Sequence, residues 1–173
     1  GSHDIVVEQN HIQGSGDDGI SVVSYQGGGT VHGITIRENE VLDSTGGRGL
    51  SVVGGSDVLI EHNNVTNSAG HAGVYIAAER EWNTEAVHDV TVSGNTITNG
   101  GGVGSGHGAV TVYNSQSGLV NDGIIVANND IIDPQKMGIL VVGEGEQHLA
   151  AYDNTVTGSS YEPLVNLNPG ASI

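Results

Sequence analysis

Two adjacent carboxylates, Asp17 and Asp18, sit on a glycine turn, Gly16-Asp17-Asp18-Gly19, directly before the strand-like run Ile20-Ser21-Val22-Val23. The same turn-then-strand shape recurs ahead of Leu50, Val74, Val110, Ile139 and, more weakly, Leu164. In register, the place of Asp17 is taken by Gly47, His71, His107, Lys136 and Tyr161. The place of Asp18 is taken by Arg48, Ala72, Gly108, Met137 and Glu162; the stretch Gly106-His107-Gly108-Ala109 admits a second register one residue away. Two of the four basic side chains, Arg48 and Lys136, thus share a column with two of the eight histidines. His71 or His107 could shuttle protons in such a column, and Arg48 or Lys136 could neutralise an anionic sugar. Asp17 and Asp18 could hold those cations, or a calcium ion together with substrate oxygens. The competing reading is plain turn chemistry, in which an Asp–Arg pair is a surface salt bridge of under about 1 kcal/mol.

Extra residues follow the second alternating run in three of the repeats and would wall this column. They carry Tyr25 and Gln26, then Arg80-Glu81-Trp82-Asn83, then Tyr113-Asn114-Ser115-Gln116, and a further insertion from Gly100 to Ser105 precedes His107. Aromatic rings with a polar handle stack on sugars, and amides bond their hydroxyls. Tyr25, Tyr75, Arg80, Trp82, Tyr113 and Asn114 are therefore expected to bind substrate, with Ser21, Ser51, Tyr75 and Thr111 outward on the strands themselves.

The elements that must position these groups are announced by a phrase repeated six times, Ile-x-Val-x-x-Asn-x-Ile. It runs from Ile5-Val7-Asn10-Ile12 through the copies around Asn39, Asn63, Asn95 and Asn129 to Leu149-Ala151-Asn154-Val156. Alternation with a period of two marks half-buried strands, and the asparagine falls at the corner between two of them. Successive asparagines lie 24 to 34 residues apart, so each repeat is one coil of short strands plus loop. Stacked about 4.8 Å apart, the six asparagines would form a hydrogen-bonded ladder. No segment sustains a helical period, and a β-sandwich would not need the repeated corner asparagine.

Composition agrees. Phe is absent, Trp occurs once and Gly 29 times, so the core must come from Val, Ile, Leu and Ala in many short strands. Twenty acids against four bases give a net charge of −16, which repels nucleic acid and anionic membranes. An acidic-surface source would account for that charge without functional content. There is no cysteine, and no apolar stretch is long enough to span a membrane. Gly1-Ser2-His3 reads as a cloning scar, leaving one domain over 4–173. Nothing before Asp4 would cap the first coil, which suggests a fragment of a longer solenoid or end-to-end self-association through uncapped coils. Pro163 and Pro169 would supply a stop at the other end.

On these repeats the chain resembles the right-handed parallel β-helix proteins, the pectate lyases and polygalacturonases, over residues 4 to 167. Gly16-Asp17-Asp18-Gly19-Ile20 resembles the Gly-Asp-Asp-Cys-Ile turn of polygalacturonases. Arg48 stands where their Gly-His-Gly has histidine, and Val74-Tyr75-Ile76 where an Arg-Ile-Lys would follow. The resemblance implies an all-β, single-stranded right-handed β-helix of about six coils. It also implies a carbohydrate-active protein, extracellular or at the cell surface. Its expected partner is a polysaccharide, uronate-containing in the favoured reading, cleaved or modified by a lyase, epimerase or hydrolase. The alternative is a non-catalytic structural or glycan-binding module.

Overall fold

The computed structural model describes residues 1–68 and 70–173. The chain winds through six stacked coils, each laying one strand into each of three parallel sheets. The first sheet takes His3–Glu8, His32–Arg37, Gly55–Glu61, Val87–Ser93, Val120–Ala127, Glu146–Tyr152 and a final short strand, Ala171–Ser172. Three-residue strands from His11–Gln13 to Thr155–Thr157 make the second sheet. The third runs Ile20–Val23, Leu50–Val53, Val74–Ala78, Val110–Asn114, Ile139–Gly143 and Leu164–Asn166. The first strand begins at His3, inside the triplet read as a scar, and pairs only with His32–Arg37 among the described residues. Pro163 and Pro169 do not end the winding, because Ala171–Ser172 pairs beyond them with Gln147 and His148.

Inward positions stack in columns: Val58, Val90 and Ile124 from the first sheet, Val41, Val65, Ile97 and Ile131 from the second, and Val52, Ile76 and Val112 from the third. Each such side chain removed from water is worth roughly 1.5–3 kcal/mol, so the stack is held by its column of branched aliphatics.

The corner asparagines do form a ladder. Each side-chain Nδ2 donates to the Oδ1 of the next, at 2.9 Å from Asn10 to Asn39, from Asn39 to Asn63 and from Asn63 to Asn95. It continues at 3.0 Å to Asn129 and 2.9 Å to Asn154. Each main-chain N–H donates to the same oxygen, as Asn63 does to Asn95 at 2.9 Å. Only an amide side chain offers donor and acceptor together, which is why the column is Asn. The residue before each one, Gln9, Glu38, His62, Gly94, Asn128 or Asp153, is left-handed, with φ between 53° and 64°, and this turns the chain.

The loops leaving the third sheet are joined above it. Tyr25 pairs with Thr84 in an antiparallel bridge, Gln26 N–H donates to the Asn83 carbonyl at 2.9 Å, and Glu85 N–H donates to the Ser24 carbonyl at 2.9 Å. Coil one thereby bonds coil three directly, passing over coil two. Coil two makes room with Gly54, at φ +76°, where a Cβ would stand 2.6 Å from the Ser24 carbonyl oxygen.

Candidate functional site

The register of the third sheet places Val110 opposite Val74 and Leu50 opposite Ile20. His107 therefore stands beside His71, and Arg48 beside Asp18, as the first of the two registers requires. Above the coil-one to coil-three end of the sheet lies a cleft of about 480 Å³. Asp17, Asp18, Arg48 and a residue the sequence reading missed, Glu79, are its charged lining, and Tyr25 and Trp82 are its aromatic walls.

Asp17 lies exposed on the turn, its Oδ1 accepting the Asp18 N–H at 2.9 Å. Asp18 points inward. Its Oδ1 accepts the Arg48 main-chain N–H at 2.7 Å, and its Oδ2 accepts the Ser51 hydroxyl at 2.6 Å. The guanidinium of Arg48 places one terminal nitrogen 3.7 Å from Asp18 Oδ1 and donates with the other to Glu79 Oε1 at 3.1 Å. Its central carbon lies 4.2 Å from the centre of the Tyr75 ring. Tyr75 is only 2 % exposed, and its hydroxyl donates to the same Glu79 oxygen at 2.9 Å. Burial alone would lower the pKa of Arg48, but Tyr75 and the carboxylates Asp18 and Glu79 raise it, so the cation is secure. Burial above all, and then the Glu79 charge, drives the Tyr75 phenol well above its ordinary range, keeping it a donor.

The histidines, both half-buried, continue the column. His107 stacks on Tyr75 at 5.2 Å and lies 5.6 Å from the His71 ring. Its Nδ1 accepts the Ala72 N–H at 3.3 Å, a bond only an unprotonated Nδ1 can take. Burial, followed by the Arg48 and His71 charges, pushes its pKa down to about 4. His107 is thus neutral near pH 7, and neither histidine lines the cleft.

Several expected site residues stand elsewhere. Ser51, Tyr75 and Thr111 are on the outer face as expected but buried, so Tyr75 supports the cleft from below and does not contact a ligand directly. Lys136, in coil five, lines no part of the cleft and has no carboxylate partner within reach among the described residues. Arg80 is exposed on the short 3-10 turn Arg80–Trp82, outside the cleft lining. Tyr113 and Asn114 belong to the strand Val110–Asn114, not to a loop. Tyr113 stacks 6.3 Å from Tyr75. Asn114 is fully buried, donating to the Leu119 and Glu146 carbonyls and accepting Gln116 N–H, so both its donors are taken and it is shut away from a sugar. The calcium reading does not fit: both Asp18 oxygens are taken by protein donors, and no group of three metal-ligating side chains forms among the described residues.

Glu79 carries a signal that could have found it. The alternation Tyr75, Ala77, Glu79 puts it on the same outward face, at the first residue past the strand Val74–Ala78.

A family model described as the right handed beta helix region matches residues 1–160. No curated protein matches the sequence significantly. Among solved structures, a catalytic domain of a GH87 alpha-1,3-glucanase, an aspartate-to-alanine variant in complex with tetrasaccharides, superposes over 100% of this chain with a TM-score of 0.71 at 20% identity. A second such variant, with the replaced aspartate at the adjacent position number, superposes over 94% with a TM-score of 0.56 at 16% identity. The chain spans 39% and 41% of those two chains. At such identities the likeness is one of fold.

Proposed function

Given that the chain belongs to the right-handed β-helix family, we propose that it hydrolyses a glycosidic bond of a neutral polysaccharide in the Asp17–Glu79 cleft. The observation that carries this reading is the pair of carboxyl walls across one guanidinium, with Asp17 and Asp18 on one side and Glu79 on the other. Paired carboxyl groups cleave glycosidic bonds at separations of roughly 5–9.5 Å. Asp18 Oδ1 and Glu79 Oε1, both on terminal nitrogens of one planar fork, fall inside the upper figure. One carboxyl group protonates the leaving oxygen while another activates water or attacks the sugar. Tyr25 and Trp82, 54% and 65% exposed, supply faces for the sugar rings. Both solved neighbours are aspartate variants bound to tetrasaccharides, which supports a glycan as the ligand class. A polymeric glycan would be met outside the cell or at its surface.

A uronate is the poorer fit. Arg48, the cation expected to neutralise its carboxylate, is already flanked by Asp18 and Glu79, and with Asp17 the cleft carries an excess of negative charge. Proton shuttling by His71 and His107 is disfavoured for the same site, since both lie outside it.

A panel of neutral and acidic polysaccharides tests the proposal. Reducing ends released from a neutral glycan, without new ultraviolet absorbance, are the expected result. Absorbance of an unsaturated uronate would replace the hydrolase with a lyase. Binding without turnover would leave a glycan-binding module.

A further inference from the structure

Glu79 Oε1 receives two hydrogen bonds, from the Tyr75 hydroxyl at 2.9 Å and from the Arg48 guanidinium at 3.1 Å. These two donors are themselves locked together, the guanidinium carbon lying 4.2 Å from the Tyr75 ring centre. The other face of that stack is closed by His107, with ring centres 5.2 Å apart, and the main chain of Glu79 is pinned by a 2.8 Å bond from its N–H to the Thr84 hydroxyl. The carboxylate is therefore held at both ends. Its Oε2 has no protein partner among the described residues, while the residue lines the cleft. A carboxyl group with one oxygen anchored by two fixed donors and the other free is oriented for a single task.

Resting on the hydrolase reading above, we infer that Glu79 is the carboxyl group that meets the glycan through Oε2, and that Tyr75 is its positioning residue. Tyr75 touches no substrate: it is buried beneath Arg48 and acts only through the Oε1 bond and the stacked guanidinium. The neighbouring acids are arranged otherwise. Both Asp18 oxygens are engaged by Arg48 N–H and Ser51, and Asp17 is tethered only to its own turn. Glu79 alone combines burial, a two-donor anchor and a free oxygen.

Tyr75→Phe tests this without disturbing the ring stack. It keeps the aromatic face under Arg48 and removes only the bond to Oε1. Expected is a fall in kcat of roughly tenfold or more, the scale of a lost hydrogen bond to a charged group, with KM changed less than about twofold. The fluorescence of Trp82, the single tryptophan, should report unchanged glycan binding. In a Glu79→Gln background the same substitution should have no further effect on kcat. A second readout is independent of turnover. The side-chain carboxyl carbon resonance of Glu79, assigned by its loss in Glu79→Gln, should shift or broaden in Tyr75→Phe. An unshifted resonance, or an equal fall in kcat with and without Glu79, overturns the positioning role. Absence of reducing ends from the unaltered protein on every glycan would sink the hydrolase reading alone, with the resonance still deciding whether Tyr75 holds Glu79.

Discussion

Gln26 and Gln116 share a hydrogen bond of 2.9 Å across the top of the third sheet, although 90 residues separate them in sequence. Gln116 also donates to the Thr84 carbonyl at 2.6 Å, and Gln26 donates to the same oxygen at 3.0 Å. Three coils are thus tied through one carbonyl, and the tie lies between the loops that carry Tyr25 and Trp82. The cleft walls are held by side-chain amides, where the floor is held by sheet.

Gln116→Ala should therefore loosen the wall more than the stack. It removes a donor and an acceptor from a buried network, at a cost of about 1–3 kcal/mol. Urea denaturation should show that loss, and Trp82 fluorescence should become more accessible to a soluble quencher in the folded protein. A variant with the unaltered quenching constant would mean that the amides do not hold the wall.

The ladder predicts a gradient of costs along the solenoid. Asn95 is buried and bonded to both neighbours, to the Ile60 carbonyl and by its N–H to Asn129. Asn95→Ala strands donors on two coils and should cost about 2–5 kcal/mol. Among the described residues Asn10 has a ladder partner on one side only, Asn39, so Asn10→Ala should cost about 1 kcal/mol. Thermal melts of the two variants measure the difference. Equal destabilisation would show that the column is not a cooperative ladder.

The solenoid was legible because two independent signals, period-two alternation and an asparagine at a constant offset, repeat in all six coils. The column was legible for the same reason, since a fixed number of residues separates each turn from its strand. What local pattern could not show was where a strand ends and what covers it. Taking the Val110 strand to stop before Tyr113 made a loop residue of Asn114, whose carboxamide instead packs under the backbone of Gly145, a Cβ there falling 2.3 Å from its Cγ. Glu79 stands just past the third-coil strand Val74–Ala78, beyond the repeated run, and no repeat marks it. The outward row was read as open, yet Arg48 and the loops lie over it. These are contacts made between coils by loops of unequal length, and no repeat encodes them.

The two aspartates, adjacent in sequence, should separate in their effects. Asp18 accepts from Arg48 N–H and Ser51, so Asp18→Asn loses one acceptor and should destabilise the fold by about 1–3 kcal/mol. Asp17 is exposed and, among the described residues, its side chain bonds only the N–H of the next residue, so Asp17→Asn should stay within about 0.5 kcal/mol. Asp17→Asn should lower reducing-end release by roughly a hundredfold or more, the scale of a lost acid or base, whereas Asp18→Asn should lower it only as far as the loosened turn displaces Arg48. Urea curves beside the assay distinguish the roles, and a fully active Asp17→Asn would remove that residue from the chemistry.

His107 makes part of the stability depend on pH. Its pKa is about 4 in the fold against an ordinary 6.5, so between those values the unfolded chain binds more protons than the folded one. Stability from this group is complete above about pH 6.5, falls as pH drops through the window, and changes no further below about pH 4. The loss is no more than about 3 kcal/mol, since the ring is not wholly shielded from solvent. Arg48, His71 and Asp18 face it, and the first two oppose its charging. His107→Gln keeps a neutral acceptor near the Ala72 N–H and cannot titrate. Urea midpoints at pH 7.5 and pH 4.5 should converge in the variant relative to the unaltered protein, because every carboxylate titration is common to both. If the two proteins lose stability equally over that interval, the imidazole takes up its proton as readily in the fold as in the unfolded chain, and the Nδ1 bond from Ala72 does not hold it neutral in solution.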